Sequence, residues 1–179
     1  VIGMYSFTEE RAEVVDMAGP YLVVGQEILV RTDSPIQTLQ DVAGQRVCVV
    51  IGSTQADFFE RELGDSDTTF IEEVSSAECV RLVAEGGADA ATSDDIILAG
   101  FASSEDFRGR VRILGQPLSE EFIMVGLPPG STELCHQISD AITEMIEDGS
   151  WLQFLEHHTQ HTDFLPNPAL NPPALKPCR

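Results

Sequence analysis

The chain has 179 residues, 42% of them hydrophobic and 22% charged, a balance that supports a packed core and lies far from that of disordered segments. Asp and Glu number 30 against 10 Lys and Arg, for a formal charge of -20. Such an excess repels nucleic acid and anionic lipid, and the trio Arg108, Arg110 and Arg112 is too sparse for a polybasic patch. Gly19, Pro20, Gly25 and Gln26 break the longest apolar stretches, so none reaches the roughly 18 to 20 residues of a membrane-crossing helix. Cys48, Cys79, Cys135 and Cys178 form no CxxC or Cys/His finger, which argues against structural zinc. In an oxidising compartment they allow three disulfide pairings, and in a reducing one they read as buried free thiols.

Val15 to Arg31 reads as extended segments around a Gly-Pro turn, with Glu27 to Val30 a short apolar strand. Ser34-Pro35 supplies an N-cap and a first-turn proline, so a short helix is expected with Ile36, Leu39 and Val42 on one face and Gly44 at its end. Arg46 to Ile51 is a fully apolar strand of the kind buried in parallel sheets, and Gly52-Ser53-Thr54 ends it. Gln55 to Leu63 has helical spacing and stops at Gly64; Thr69 to Ile71 is the next strand. Ser75 or Ser76 caps a helix ended by Gly86-Gly87; Ala88 to Thr92 is a strand, and Ser93 or Asp94 caps the helix Asp95 to Ala102. Val111 to Leu114 returns as a strand. This βα alternation predicts a doubly wound α/β sheet whose ligands bind beyond the carboxyl ends of the strands. Phe122 to Leu127 is a further strand; Ser131 caps a long helix carrying Leu134, Ile138, Ile142 and Met145, and a second helix covers about Trp151 to His157. Pro166, Pro168, Pro172, Pro173 and Pro177 predict an extended tail.

Three stretches carry chemistry that suits a free amino acid. Ser6 and Arg11 set a hydroxyl and a guanidinium five residues apart; Ser53 and Thr54 place hydroxyls and free N-H groups at a helix start; Asp94 sits at another strand-to-helix junction. A guanidinium and a helix N-terminus suit a carboxylate, and Asp94 suits an ammonium. Taken singly, each has an ordinary structural reading, Arg11 as a surface residue and Ser53 and Asp94 as helix caps. His157, His158 and His161 place two imidazoles on one helix face, but no further ligand motif follows, and they read as polar residues of a fraying final turn.

Over about residues 3 to 157 the chain resembles the extracellular solute-binding proteins of the polar amino-acid family. The resemblance runs through Tyr5-Ser6-Phe7-Thr8-Glu9-Glu10-Arg11, Val15-Asp16-Met17-Ala18-Gly19-Pro20-Tyr21, Gly25 to Val30, Gly44 to Val47, Gly52-Ser53-Thr54, Gly87 to Ala90 with Asp94, and Asp148-Gly149-Ser150-Trp151. It is most similar to the glutamate-binding branch of Gram-positive bacteria, through Tyr5-Ser6, through Val47-Cys48 before Gly52-Ser53-Thr54, and through Glu78-Cys79-Val80. The sequence departs from the family at Ser6, where Thr is common, at Met17, where Phe is common, and at Phe122-Ile123, where Tyr-Gly is common.

The resemblance implies a two-lobed, type II periplasmic-binding-protein-like α/β fold that closes on its ligand. Residues 1 to 31 would hold part of the first lobe and a hinge strand, 32 to 117 the complete second lobe, 118 to 160 the other hinge strand and the closing helices of the first lobe, and 161 to 179 a proline-rich tail. Glu27 to Arg31 and Glu121 to Val125 would be the hinges, and an opening part of the first lobe, a signal peptide and a lipid anchor would precede Val1. Ser6, Arg11, Ser53 and Thr54 would hold the ligand's α-carboxylate, and Asp94, with the Met4 carbonyl, its ammonium. Cys48 would pair with Cys79, as the branch carries cysteines there, and Cys135 with Cys178 is a second candidate pair that would tether the tail. The implied protein is an extracytoplasmic, non-enzymatic, monomeric binder of glutamate or a similar amino acid, without cofactor, that delivers to the membrane subunits of an ABC importer. Its rivals are a receptor's sensory module and a dehydratase-type enzyme on the same fold; for the enzyme, no His or Glu stands beside Asp94 in sequence as a general base.

Overall fold

In the computed structural model, which describes residues 1–64 and 66–178, the chain alternates between strands and helices. Strand β1 (Tyr5–Ser6) leads into the short helix α1 (Glu9–Ala12), and β2 (Asp16–Val24) and β3 (Gln26–Arg31) follow. After a 3-10 helix at Leu39–Val42 come β4 (Arg46–Val50), α2 (Thr54–Leu63), β5 (Thr69–Glu73), α3 (Ser76–Glu85), β6 (Ala90–Asp94), α4 (Asp95–Ser103) and β7 (Val111–Ile113). Strand β8 (Glu121–Leu127) then precedes α5 (Thr132–Glu147) and α6 (Ser150–Thr159). Two compact units result, one of Val1–Val24, Glu120–Gln160 and Leu165 onward, the other of Gly25–Ser119 with His161–Phe164.

The second unit is built on a five-stranded sheet in the order β5-β4-β6-β3-β7. Strands β4, β5 and β6 are parallel, and β3 runs antiparallel to both β6 and β7. Because successive side chains of a strand face opposite ways, β3 sends Ile28 and Val30 to one face and Leu29 to the other, and β4 likewise separates Val47 and Val49 from Cys48. On one face these residues pack with Phe59 and Leu63 of α2; on the other they meet Cys79, Val80 and Val83 of α3 and Leu98 of α4. Burial on both faces explains the unbroken apolar runs of β3 and β4. The caps follow side-chain chemistry: Ser53 Oγ accepts from Ala56 N-H and Ser75 Oγ from Glu78 N-H, while Gly86 ends α3 at φ 79°.

The short helix expected from Ser34-Pro35 does not begin there. The Asp41 carboxylate accepts from the Gln37 and Thr38 N-H groups at 3.0 Å each, which sets the start of the helix at Thr38, and only the 3-10 turn Leu39–Val42 forms. Strand β6 is shifted relative to the expected Ala88 to Thr92 and runs on to Asp94, where α4 starts directly.

The first unit has a three-stranded antiparallel sheet in the order β1-β8-β2. The β2–β8 register shifts between Ala18 and Leu22, around the cis Gly19–Pro20 bond. Ala18, Val125, Leu127 and Cys135 form its buried cluster, with Tyr21 and Ile138 against it. The Trp151 indole N-H donates to Tyr21 O at 2.7 Å, which fixes α6 on β2. The segments read as hinges fall within β3 and β8, each of which holds an inner place in its own sheet.

Two disulfides join Cys48 to Cys79 and Cys135 to Cys178. The first spans 31 residues and links β4 to α3 within the core of the second unit. Replacing both Cys48 and Cys79 by Ala is expected to lower the unfolding free energy by about 3 kcal/mol, because the open chain gains conformational freedom when unfolded. A urea unfolding midpoint equal to that of the oxidised wild type would show that the cross-link contributes nothing.

Candidate ligand-binding site

In the second unit, β4 and β6 end side by side, and α2 and α4 begin there. Helix N-termini turn their positive dipole ends toward that edge of the sheet, which favours negatively charged ligand groups. Ser53 and Thr54 stand at the start of α2, with Gly52 at φ 69° making the turn out of β4. Asp94 closes β6 and is 3% exposed. Gln55, also buried, donates from Nε2 to Asp94 Oδ1 at 2.7 Å and so ties the Ser53-Thr54 turn to the Asp94 carboxylate. The structure therefore brings together three of the residues singled out in the sequence, Ser53, Thr54 and Asp94.

Gln55 was missed because a Gln in the first turn of an amphipathic helix ordinarily faces water; its position directly after Ser53-Thr54 was the available signal. A second omission is the pair Glu27 and Asp95. Strand β3 enters at this same edge, with Gln26 opposite Asp94. Glu27 is 1% exposed; its Oε1 accepts from Ile28 N-H at 2.9 Å and its Oε2 from Gln116 N-H at 2.5 Å. Asp95 accepts from Ile96 N-H at 2.7 Å and from Gly25 N-H at 3.1 Å. Gly25 has no room for a side chain, since a Cβ there would lie 2.6 Å from the Cβ of Pro117.

Burial pushes the Glu27 carboxyl up in pKa; the N-H bonds from Ile28, Gln116 and Gly115 oppose this, and the Asp95 carboxylate adds to the rise. Burial raises Asp95 as well, against the N-H bonds from Gly25 and Ile96. Both shifts mean that these carboxyls hold their protons more readily than exposed ones do.

In the first unit, Ser6 pairs with Ile123 in the sheet and is 3% exposed, while Met4 is 37% exposed. Thr8 caps α1 by accepting from Arg11 N-H at 3.1 Å. The resulting turn folds Arg11 back so that its Nη1 donates to Ser6 O at 2.9 Å and its guanidinium lies 4.8 Å from the Tyr5 ring centre. Ser6 and Arg11 are thus neighbours, and the cation lies against a carbonyl and an aromatic face.

A cleft of about 310 Å³ lined by Arg31, Pro35, Ile36, Asp41 and Asp89 opens beside Arg31, at the far end of β3 from Gln26, and none of the singled-out residues lines it. Among the described residues no cluster of His, Cys, Asp and Glu is arranged to hold a metal, and no helix is long and apolar enough to cross a membrane.

Residues 1–161 match the family model of the bacterial extracellular solute-binding proteins, family 3. The glutamate-binding protein GluB of Corynebacterium efficiens is 35% identical over 160 residues, which cover 87% of this chain and 54% of that protein. The glutamine-binding protein GlnH of Bacillus subtilis is 27% identical over 152 residues, 84% of this chain and again 54% of the relative. The chain thus spans about half the length of these relatives. Among solved structures, an ancestral arginine-binding protein bound to arginine superposes with a TM-score of 0.78 at 27% identity, over 85% of this chain and 67% of that one. The ligand-binding core of GluR0 from Nostoc punctiforme, in complex with L-glutamate, gives 0.76 at 28% identity, over 87% and 70%.

Folding raises the Glu27 pKa, so the folded state holds that proton more readily than the unfolded chain does. Its contribution to stability is full below the pKa of an unfolded glutamate and is lost as pH rises through the folded value. Glu27→Gln removes this dependence. Between about pH 4 and pH 7, urea unfolding is expected to shift in favour of the variant relative to wild type as pH rises, whatever their offset. A difference independent of pH would mean that the N-H bonds to Glu27 offset its burial completely.

Proposed function

The chain belongs to the bacterial extracellular solute-binding proteins, family 3, and from that membership we propose that it binds a polar amino acid, glutamate or a close relative, outside the cytoplasm for an ABC importer. The observation that carries the reading is the convergence of Ser53, Thr54, Gln55 and Asp94 where β4 and β6 end. Ser53, Thr54 and the N-terminus of α2 hold the ligand's α-carboxylate, and Asp94, steadied by Gln55, takes its ammonium. The first unit offers its own set: the Arg11 guanidinium and the Ser6 hydroxyl for the carboxylate, and the Met4 carbonyl for the ammonium. These groups donate and accept hydrogen bonds and carry opposite charges, which is what capture of a zwitterion requires. We assign them no bond-breaking step. Glutamate is favoured among ligands because the GluB relative carries the highest of the identities given above.

A receptor's ligand-binding module is the second reading, and the likeness to the GluR0 core favours it. Both readings share the ligand chemistry and differ in the partner, so co-purification with importer membrane subunits separates them.

Titration calorimetry with L-glutamate is expected to show saturable 1:1 binding with no product formed. Arg11→Ala and Asp94→Ala are each expected to weaken it by about 2 kcal/mol or more, roughly 30-fold, since each strips a ligand charge of its partner. Ser53→Ala should cost about 1 kcal/mol. Unchanged affinity in Asp94→Ala would remove the ammonium assignment, and turnover of glutamate would move the protein among the enzymes.

A further inference from the structure

The family match ends at residue 161, and the proline-rich segment beyond it has a structural role of its own in the first unit. Strand β2 lies at an edge of its sheet, with β8 on one side only. Three of its carbonyls, on Gly19, Tyr21 and Val23, are met by donors from outside the sheet. Lys176 N-H donates to Gly19 O at 2.7 Å, the Trp151 indole donates to Tyr21 O at 2.7 Å, and Asn171 Nδ2 donates to Val23 O at 2.8 Å. Asn171 also accepts from Val23 N-H through Oδ1 at 3.0 Å, so one side-chain amide supplies both halves of the pairing that a neighbouring strand would make.

Two of the three caps come from the segment after residue 164. It cannot extend the sheet, because Pro172, Pro173 and Pro177 have no N-H to give. Its far end is fastened by the disulfide from Cys178 to Cys135, a fully buried residue of α5 that packs with Ala18 of β2. Lys176 is held a second time by its side chain, whose Nζ lies 4.2 Å from the Phe7 ring centre and 4.8 Å from that of Phe122.

We propose that residues 165 to 178 form a disulfide-clasped strap that closes the β2 edge against strand addition by a second copy of this chain, and that breaking the Cys135–Cys178 bond releases it. An open edge strand presents unpaired N-H and C=O groups that template pairing with another chain, and covering the edge is one way proteins prevent this. A second copy is the fitting occupant because it brings the same strand edge, and two copies of β2 pair antiparallel about a two-fold axis. The strap is then a redox-dependent device: it stays shut where disulfides persist and opens where they are reduced.

The test compares the wild-type chain with Cys135→Ala/Cys178→Ala, which leaves no thiol at this site to cross-link, and with Asn171→Ala, which keeps the disulfide and removes only the amide clamp. Far-ultraviolet circular dichroism checks that each is folded, hydrogen exchange reads the Val23 amide, and light scattering over a concentration series reads mass. In the double variant, Val23 exchange is expected to quicken about ten-fold or more, with a dimer appearing as concentration rises, while wild type stays monomeric. Asn171→Ala should quicken Val23 exchange alone. Val23 protection equal to wild type in both variants would overturn the strap. Lost protection in a double variant that stays monomeric at every concentration would overturn its role as an edge guard.

Discussion

The buried carboxylates of Asp94 and Glu27 must find hydrogen-bond donors inside the protein, and the way they find them fixes the end of the sheet where the candidate ligand-binding residues gather. A desolvated carboxylate without donors costs several kcal/mol, far more than any single packing contact returns. Asp94 is satisfied in part by Gln55 from the first turn of α2, which holds the start of one helix against the end of a neighbouring strand. Glu27 takes the N-H groups of Ile28 and Gln116, and so draws the segment after β7 onto the start of β3. Asp95 closes the same arrangement by accepting from Gly25, whose missing side chain lets Pro117 approach. The ligand chemistry proposed for Asp94 depends on this set, because a carboxylate already ordered by donors loses little entropy when it meets an ammonium.

Where one face of an element is dictated by burial, the sequence announced it. The unbroken Val47 to Ile51 run predicted a strand covered on both sides, which the structure keeps as far as Val50; Ser53 and Gly86 marked helix ends that the structure keeps, and of Ser75 and Ser76 the first is the cap. Ser53, Thr54 and Asp94 came together because short βα turns leave little freedom in where their residues point. The features that were not legible depend on partners distant in the chain. Nothing near Gln55 indicates that Asp94, 39 residues later, will accept from it, and nothing near Glu27 announces Gln116, 89 residues away. The proline-rich ending reads locally as unstructured, and only the neighbouring edge of β2 explains Asn171. At Ser34-Pro35 a local signal was outweighed by a better one, the Asp41 carboxylate, which caps the turn at Thr38.

The two units carry their candidate residues differently. In the second unit the site is embedded in a sheet packed on both faces, so its geometry is backed by a core and by the Cys48–Cys79 bond. In the first unit Arg11 depends on one helical turn capped by Thr8 and on contacts with Ser6 and Tyr5. Local stability tracks how much apolar surface backs an element, so the Arg11 turn belongs to the easily opened part of the molecule and the Asp94 edge to the resistant part.

Trp151 is the single tryptophan of the sequence, and it sits 8% exposed with its indole N-H on Tyr21 O. Intrinsic indole emission therefore reports on the first unit, where Trp151 lies. Detachment of α6 from β2 would wet the ring and red-shift its emission. Emission read alongside far-ultraviolet circular dichroism, which sees both units, gives a direct measure of whether they melt together or one after the other.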